Sequence, residues 1–172
     1  MEPALDRIFL DCSARRLTQL ASRLDDCLSR LSDEQIWIRG GDNQNAAGNL
    51  VLHLAGNLRQ WIVAGVGGAP DVRDRDAEFS VRDGATAGEL RALLTAVVHE
   101  SATTIAAVPA ARLAERLHVQ GYEVTVLEAI YHVVEHLAQH TGQIIFLTKA
   151  LTGADLAYYA HLAKATHGRP TP

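Results

Sequence analysis

The sequence from Thr125 to Gly153 reads TVLEAIYHVVEHLAQHTGQIIFLTKALTG, and it predicts the last long helix of a helical bundle. Thr125 and Glu128 have the spacing of a capping box, in which the two side chains bond backbone N–H groups at a helix start. The helical pattern continues to about Leu151, and Gly153 is a typical stop signal. The predicted helix carries three of the eight histidines of the chain: His132, His136 and His140.

Three more long helices are predicted before this one. In the first, apolar residues recur at helical spacing. The second ends where Gly and Pro residues cluster, and the third opens with another capping box. The three helices run from about Pro3 to Leu31, from about Ala46 to Val66 and from Thr86 to about Ala107.

The remaining segments have weaker patterns. Residues 71–84 are dense in Arg and Asp and are predicted to be a charged connector. Residues 110–124 are mixed in character, with a turn expected at Gly121. A last helix is predicted from about Asp155 to Thr166. These segments add no further long helix to the bundle.

Length and composition agree with a single helical domain. The chain has 172 residues, of which 48% are hydrophobic and only 5% are aromatic, and abundant Ala and Leu favour helix over sheet. We therefore predict an all-α fold in one domain, residues 1–172. A four-helix bundle would cover about residues 3–152, and an additional C-terminal helix about residues 155–166.

Charge and cysteine usage argue against several classes of protein. The net charge is −4 and no cluster of Lys and Arg is present, so nucleic-acid binding is not expected. No apolar run reaches the roughly 20 residues of a membrane helix, and the acidic start MEPALDRIFLD does not resemble a secretion signal. Cys12 and Cys27 would lie roughly 22 Å apart on one helix, too far for a disulfide. We expect a cytoplasmic protein with reduced thiols.

The spacing of the three clustered histidines limits what they can bind. Residues four apart share a helix face, so an adjacent pair of imidazoles can reach one metal ion. His132 and His140 are separated by about 12 Å of helical rise, while metal–nitrogen bonds are about 2.0–2.1 Å. Helix geometry therefore allows either His132 with His136 or His136 with His140.

A third ligand is expected from another helix, and His53 is the best candidate. It lies in a largely apolar helix centre, where Asn49, His53 and Asn57 form a polar stripe at i, i+4 spacing. A polar group in such a place has to be satisfied. A hydrogen-bonded core histidine is the alternative interpretation, and the paired histidines of the last helix favour the metal.

One motif points elsewhere. The residues from His132 to His136 match the H-x-x-E-H form of certain zinc proteases, in which Glu135 would be the general base. That class requires a further ligand downstream, and no Glu follows His136 in this sequence. The protease interpretation is therefore not favoured.

Two stretches together resemble a known family. HVVEHLAQHTGQI at residues 132–144 and LVLHLAGNLRQWI at residues 50–62 are similar to the DinB-like superfamily of damage-inducible, metal-binding four-helix proteins. The run GVGGAPDVRDRDAEF at residues 65–79 resembles an uncharacterised bacterial branch of that superfamily. The resemblance covers roughly residues 5–155 and implies a bundle of this type.

The resemblance also implies a ligand set. One His of the second helix and two His of the last bundle helix, the second just before a Gly-Gln, correspond to His53, His136 and His140. The implied ion is divalent, nickel or zinc, with open positions that suit catalysis. The side chains expected to support the ligands or line the pocket are His132, Asn57, Asn49 and Gln143.

Three functions remain open at this point. The resemblance implies a thiol-dependent S-transferase that acts on a small molecule with a low-molecular-weight thiol, whose carboxylates Arg73 and Arg75 could bind; the same arginines could instead form local Arg–Asp pairs. A metal-dependent hydrolase would need a general base such as Glu135 or Glu128. A non-enzymatic metal-binding stress protein is the third. The resemblance further implies a homodimer.

Overall fold

The computed structural model describes residues 4–163. Five α-helices are present: α1 (Leu5–Ser29), α2 (Ala47–Leu58), α3 (Arg75–Ser80), α4 (Ala87–Ala107) and α5 (Val126–Thr152). A π-helix, Arg59–Val66, continues α2 without interruption. Short 3-10 helices occupy Gln35–Trp37, Ala110–Ala114 and Ala160–Ala163, and two strands, β1 (Arg116–Val119) and β2 (Tyr122–Thr125), form a hairpin before α5.

The long helices form a four-helix bundle, as the sequence predicts. Helix α1 packs along α4 and α5, and α2 packs against the same two helices from the opposite side. Leucine and isoleucine side chains fill the space between them, and the most completely buried include Leu17, Leu24, Leu54, Ile130 and Leu137. The prediction of an all-α bundle is confirmed. No helix in residues 4–163 has the length and apolarity required to cross a bilayer.

Both predicted capping boxes are present. Thr86 accepts a hydrogen bond from the backbone N–H of Glu89, and the Glu89 carboxylate accepts from the backbone N–H of Thr86 at 2.8 Å. Thr125 and Glu128 repeat the arrangement at the start of α5. Gly153 ends α5 in the left-handed conformation, with φ of 67°, which glycine adopts without the cost a side chain would add.

The predicted charged connector contains a short helix, α3, that its sequence does not indicate. Asp74 caps this helix by accepting a hydrogen bond from the backbone N–H of Ala77 at 3.0 Å. Further along, residues 110–124 contain the β1–β2 hairpin instead of irregular chain. Its turn holds Gln120 and Gly121 at positive φ of 51° and 82°, the backbone that two-residue hairpin turns require.

The C-terminal helix is shorter than predicted. Residues 155–157 have no regular structure, and a 3-10 helix forms only at Ala160–Ala163. The remaining part of the predicted helix, residues 164–166, lies outside the described residues. Tyr158 fastens this segment to α1 by donating a hydrogen bond to the Asp26 carboxylate at 2.9 Å. Side-chain anchoring therefore replaces the expected helix here.

The π-helix is a feature that the sequence pattern does not predict. At its end the backbone N–H of Gly67 donates to the carbonyl of Ile62, five residues earlier, at 2.8 Å. Such i→i+5 turns are rare and are often found at functional sites. Here the segment buries Trp61 beside the last bundle helix.

Candidate metal centre

The polar stripe of α2 is buried between helices, as its sequence pattern suggests. Asn49, His53 and Asn57 are all in the core. Asn49 uses its whole amide: its oxygen accepts hydrogen bonds from Ala46 N–H and the Arg39 guanidinium, and its nitrogen donates to the carbonyls of Glu78 and Val81. Asn49 therefore ties the end of α3 to α2, and the hydrogen bonds of its amide go to groups other than the histidines among the described residues.

Three imidazoles converge where α2 meets α5. The Nε2 atoms of His53 and His136 lie 3.1 Å apart, and those of His136 and His140 lie 3.2 Å apart. One nitrogen from each ring falls within 4.8 Å of the other two. Among residues 4–163, this is the only group of three or more His, Cys, Asp or Glu side chains with such a spacing.

Hydrogen bonds on the outer side of the rings fix two of the three tautomers. His53 Nδ1 lies 2.9 Å from Glu78 Oε2 and 3.1 Å from Arg73 Nη2, which itself donates to Glu78 Oε2 at 2.9 Å. Because the carboxylate only accepts and makes the shorter contact with the ring, we assign the proton to Nδ1. His140 Nδ1 donates to Gln143 Oε1 at 2.6 Å. Both rings therefore turn an unprotonated Nε2 toward His136. The Nδ1 of His136 is buried and has no partner among the described residues.

Burial keeps the rings of His136 and His140 neutral. It is the main cause that lowers the pKa of His136 to about 3, and the charges of His140 and His53 lower it further. Burial also lowers the pKa of His140 below its usual value, against the hydrogen bond that its ring donates to Gln143, which raises it. Neutral imidazoles have a free lone pair at neutral pH, which is the form that binds metal.

The arrangement fits a divalent cation. Two nitrogen ligands at about 2.05 Å from a tetrahedral ion are roughly 3.3 Å apart, close to the 3.1 and 3.2 Å between these Nε2 atoms. At most one proton can lie between neighbouring Nε2 atoms, so several lone pairs face one another. A positive ion would remove that repulsion, and imidazole nitrogens suit divalent transition metals.

His132 lies one helical turn outside this group. Its ring packs on Trp61, with centroids 4.1 Å apart, and stacks on His136 at 5.5 Å. The side-chain nitrogen of Asn57 is 3.4 Å from His132 Nε2. Of the two pairs that helix geometry left open, the structure brings His136 and His140 together with His53. His132 and Asn57 form the adjoining wall.

The two arginines of the connector are placed differently from the expectation of free substrate-binding groups. Arg73 is buried, with only 3% of its side chain exposed, and it pairs with both carboxylate oxygens of Glu78 at 2.7 and 2.9 Å. Arg75 is exposed and lies over the ring of Phe79 at 5.1 Å. Arg73 also donates from Nη1 to Gln60 at 2.9 Å, so its guanidinium is engaged within the protein through Nε, Nη1 and Nη2.

Glu78 is the residue that sequence reasoning missed. It is buried in α3, and burial acts to raise its pKa, but hydrogen bonds from Arg73 and His53 outweigh that effect and hold the pKa below its usual value. The predicted connector included Glu78 only as one charge among many. An acidic residue within an Arg-rich run is the one signal that could have indicated it.

The other candidate acids lie away from the centre. Glu135 is exposed on α5, and Glu128 is occupied by its capping box. Of the remaining histidines, His99 and His118 are exposed, and the side chain of His161 and all of His167 lie outside the described part. Cys12 and Cys27 are both free, the first exposed and the second buried.

Comparison with known proteins supports the fold assignment. Residues 5–163 match the family described as "Protein of unknown function (DUF1572)". A conserved protein from Enterococcus faecalis has a TM-score of 0.72 at 15% identity, covering 83% of this chain and 96% of its own. The DinB-like protein YjoA from Bacillus subtilis has a TM-score of 0.66 at 12% identity, covering 86% and 96%. No curated protein matches the sequence.

Proposed function

We take as a premise that the chain belongs to DUF1572, a DinB-like family of unknown function, and we propose that it is an enzyme dependent on one divalent metal ion. The observation that carries this proposal is the convergence of three imidazole nitrogens within 4.8 Å, two of them with tautomers fixed from outside. His53, His136 and His140 would hold the ion through Nε2. Three protein ligands leave coordination positions open, which is the pattern of catalytic sites.

We propose that the reaction is transfer of a thiol to a small electrophile. The bound ion would supply Lewis acidity that stabilises a thiolate at neutral pH. In the overall reaction the sulfur bonds to an electrophilic carbon, the leaving group departs with its electron pair, and the thiol proton goes to solvent. The chain itself has to bind and orient the two reactants.

The carboxylates favour this reaction over hydrolysis. A hydrolase benefits from a positioned general base that takes a proton from water. The Glu78 carboxylate is bound to Arg73 and His53, and that of Glu128 is bound within its capping box. Glu135 is exposed on α5. A thiol, which is far more acidic than water, has less need of such a base.

A cavity beside His140 would receive the substrate. It has a volume of about 560 Å³ and shares Gln143 with the centre. Its polar lining consists of carboxamides: Asn43, Gln44, Asn45, Gln139 and Gln143. Leu50, Phe146 and Leu147 supply apolar surface. Because no ionisable side chain among the described residues lines it, we propose that reactants are held by hydrogen bonds to neutral polar groups.

Metal analysis of protein purified without a histidine tag tests the first part. We expect about one nickel or zinc ion per chain, lost in His53→Ala and His136→Ala and retained in the surface control His118→Ala. Retention of full occupancy in His136→Ala together with loss in His132→Ala would show that the other pair binds the ion. Absence of any bound or bindable divalent ion in the wild-type chain would overturn the proposal.

An activity screen tests the second part. The metal-loaded protein is offered several low-molecular-weight bacterial thiols with alkylating electrophiles, and product formation is compared with that of His136→Ala. Thiol conjugation that depends on the metal supports the transferase. Ester or amide hydrolysis without thiol would support a hydrolase, and metal binding with neither activity would support a non-enzymatic stress protein.

The remaining expectations are also proposals. A homodimer is compatible with the exposed Leu127, Tyr131 and Phe146 of α5, and sedimentation analysis would establish the oligomeric state. A cytoplasmic location would agree with the two free cysteines.

A further inference from the structure

We propose that Glu78 is a positioning residue: its carboxylate, held by Arg73, sets the tautomer and orientation of His53 so that Nε2 is presented to the metal. The proposal rests on the proposed metal site and extends it from the three ligands to α3. It assigns a role to a residue that the ligand pattern alone does not include.

The side chains of Glu78 and His53 are in direct contact. Glu78 Oε2 accepts a hydrogen bond from His53 Nδ1 at 2.9 Å, and both side chains are less than 10% exposed. Arg73 Nη2 lies 3.1 Å from the same Nδ1, but it already donates to Glu78 Oε2, and the carboxylate makes the shorter contact. With the proton on Nδ1, only Nε2 can bind an ion. A carboxylate partner also makes an imidazole more basic and a stronger ligand than a neutral acceptor does.

The Glu78 carboxylate is held in place by its neighbours. Arg73 binds both of its oxygens in a fork, through Nε to Oε1 and Nη2 to Oε2. Arg73 is held in turn by Gln60, and Gln60 donates to Asp71 at 2.8 Å. The Glu78 carboxylate is therefore held at both oxygens, and its charge is compensated by a buried guanidinium.

Helix α2 and the backbone of α3 leave room for the pair formed by Glu78 and Arg73. A Cβ atom added to Gly56 would lie 1.9 Å from Glu78 Oε1 and 2.9 Å from Arg73 Nε, far inside contact distance. The carbonyl of Glu78 accepts a hydrogen bond from Asn49 at 3.0 Å. Glycine at position 56 and asparagine at position 49 thus serve the same placement of Glu78.

The three ligands consequently differ in their support. His53 donates to a buried carboxylate and His140 to a neutral amide, whereas His136 has no Nδ1 partner among the described residues. Replacement of an outer partner of a metal-bound histidine typically weakens metal affinity 10–100-fold. Removal of the Glu78 charge should therefore have a larger effect on affinity than removal of the Gln143 amide.

The test begins with the metal-free wild-type chain. Long-range proton–nitrogen NMR spectra report which ring nitrogen of His53 carries the proton. We expect the Nδ1–H tautomer in the wild type and a mixture of tautomers in Glu78→Gln. Observation of the Nε2–H tautomer in the wild type would overturn the proposal whether or not any variant folds.

The second measurement is the dissociation constant for Zn²⁺, obtained by competition with a chromophoric chelator. We expect about 10–100-fold weaker binding in Glu78→Gln. The same loss is expected in the double variant Arg73→Gln/Glu78→Gln, which leaves no unpaired buried charge. The matched control is Glu123→Gln, which alters an exposed Glu–His contact of 2.8 Å on the hairpin and should bind like the wild type.

The outcomes separate the two proposals. Binding by Glu78→Gln within twofold of the wild type would overturn the role of Glu78 while leaving the metal site intact. A wild-type chain that binds no Zn²⁺ or Ni²⁺ would overturn the metal site, and the tautomer of His53 would still decide whether Glu78 positions the ring.

Discussion

The α1–α4 interface and the α2–α5 interface belong to one bundle but differ in the side chains that fill them. Between α1 and α4, leucine, valine and isoleucine side chains such as Leu24 and Leu94 pack with almost no exposure. Between α2 and α5, His53, His136 and Asn57 interrupt the apolar packing. Every buried polar group needs a partner or it destabilises the fold, so the second interface depends on groups outside the bundle helices.

Because of this difference, we expect the first interface to determine stability and the second to determine metal binding. The apolar interface can be repacked with side chains of similar volume, since nothing but the filling of space is required of it. The polar interface needs α3 and the connector, which supply Glu78 and Arg73 as partners. We expect substitutions in the first interface to change the free energy of unfolding and substitutions in the second to change metal affinity.

The largest expected effect on stability is that of Leu24→Ala in α1. Leu24 is fully buried, and truncation of such a leucine costs about 2–5 kcal/mol. Urea denaturation of the metal-free protein measures this loss, and Zn²⁺ affinity of the folded fraction should stay within twofold of the wild type. A large loss of affinity in this variant would show that the two interfaces are coupled.

An intermediate effect is expected for Gly56→Ala in α2. Alanine gains about 1 kcal/mol in helix propensity, but its Cβ would displace the Glu78 carboxylate, and overpacking costs about 1–3 kcal/mol. We expect a net loss of up to about 2 kcal/mol and roughly tenfold weaker Zn²⁺ binding.

The control for this substitution is Gly142→Ala in α5. Nothing lies within 4 Å of a Cβ at that position, so the variant should gain about 1 kcal/mol and keep its affinity. If Gly56→Ala also bound Zn²⁺ normally, the close approach of Glu78 to α2 would have no role in the centre.

The smallest effect is expected at the helix caps. Thr125→Ala removes the cap of α5 and Thr86→Ala that of α4, and each should cost about 1 kcal/mol. Thermal unfolding measures both. Because α5 carries two of the three proposed ligands, His136 and His140, well inside the helix, neither variant should change Zn²⁺ affinity more than about twofold. A difference between the two variants would show that fraying of α5 reaches the centre.

The sequence carried enough information to predict the bundle and its capping boxes, because these depend on local patterns. Helical period places apolar side chains in a core, and a Thr with a Glu three residues later marks a helix start whatever lies nearby. The spacing of His136 and His140 likewise implies a shared face. These predictions required no knowledge of tertiary contacts.

The missed features depend on contacts between distant segments. Helix α3 has only six residues, which is too short for a periodic pattern, and it is held by Asn49 and Arg39 from elsewhere in the chain. Glu78 therefore looked like one of several connector charges. The hairpin before α5 has strands of four residues, and the segment after Gly153 is anchored by Tyr158 instead of by helical hydrogen bonds.

The π-helix at Arg59–Val66 determines in which direction around the helix axis the following side chains point. An α-helix advances about 100° per residue, so an uninterrupted α2 would direct its last turns to different sides of the bundle. Deletion of a single residue within the segment would restore i→i+4 bonding and turn Trp61 and the connector relative to His53. The wider turn thus changes the directions of the side chains along the helix. One continuous helix can therefore contact both the leucine core and the wall beside His132.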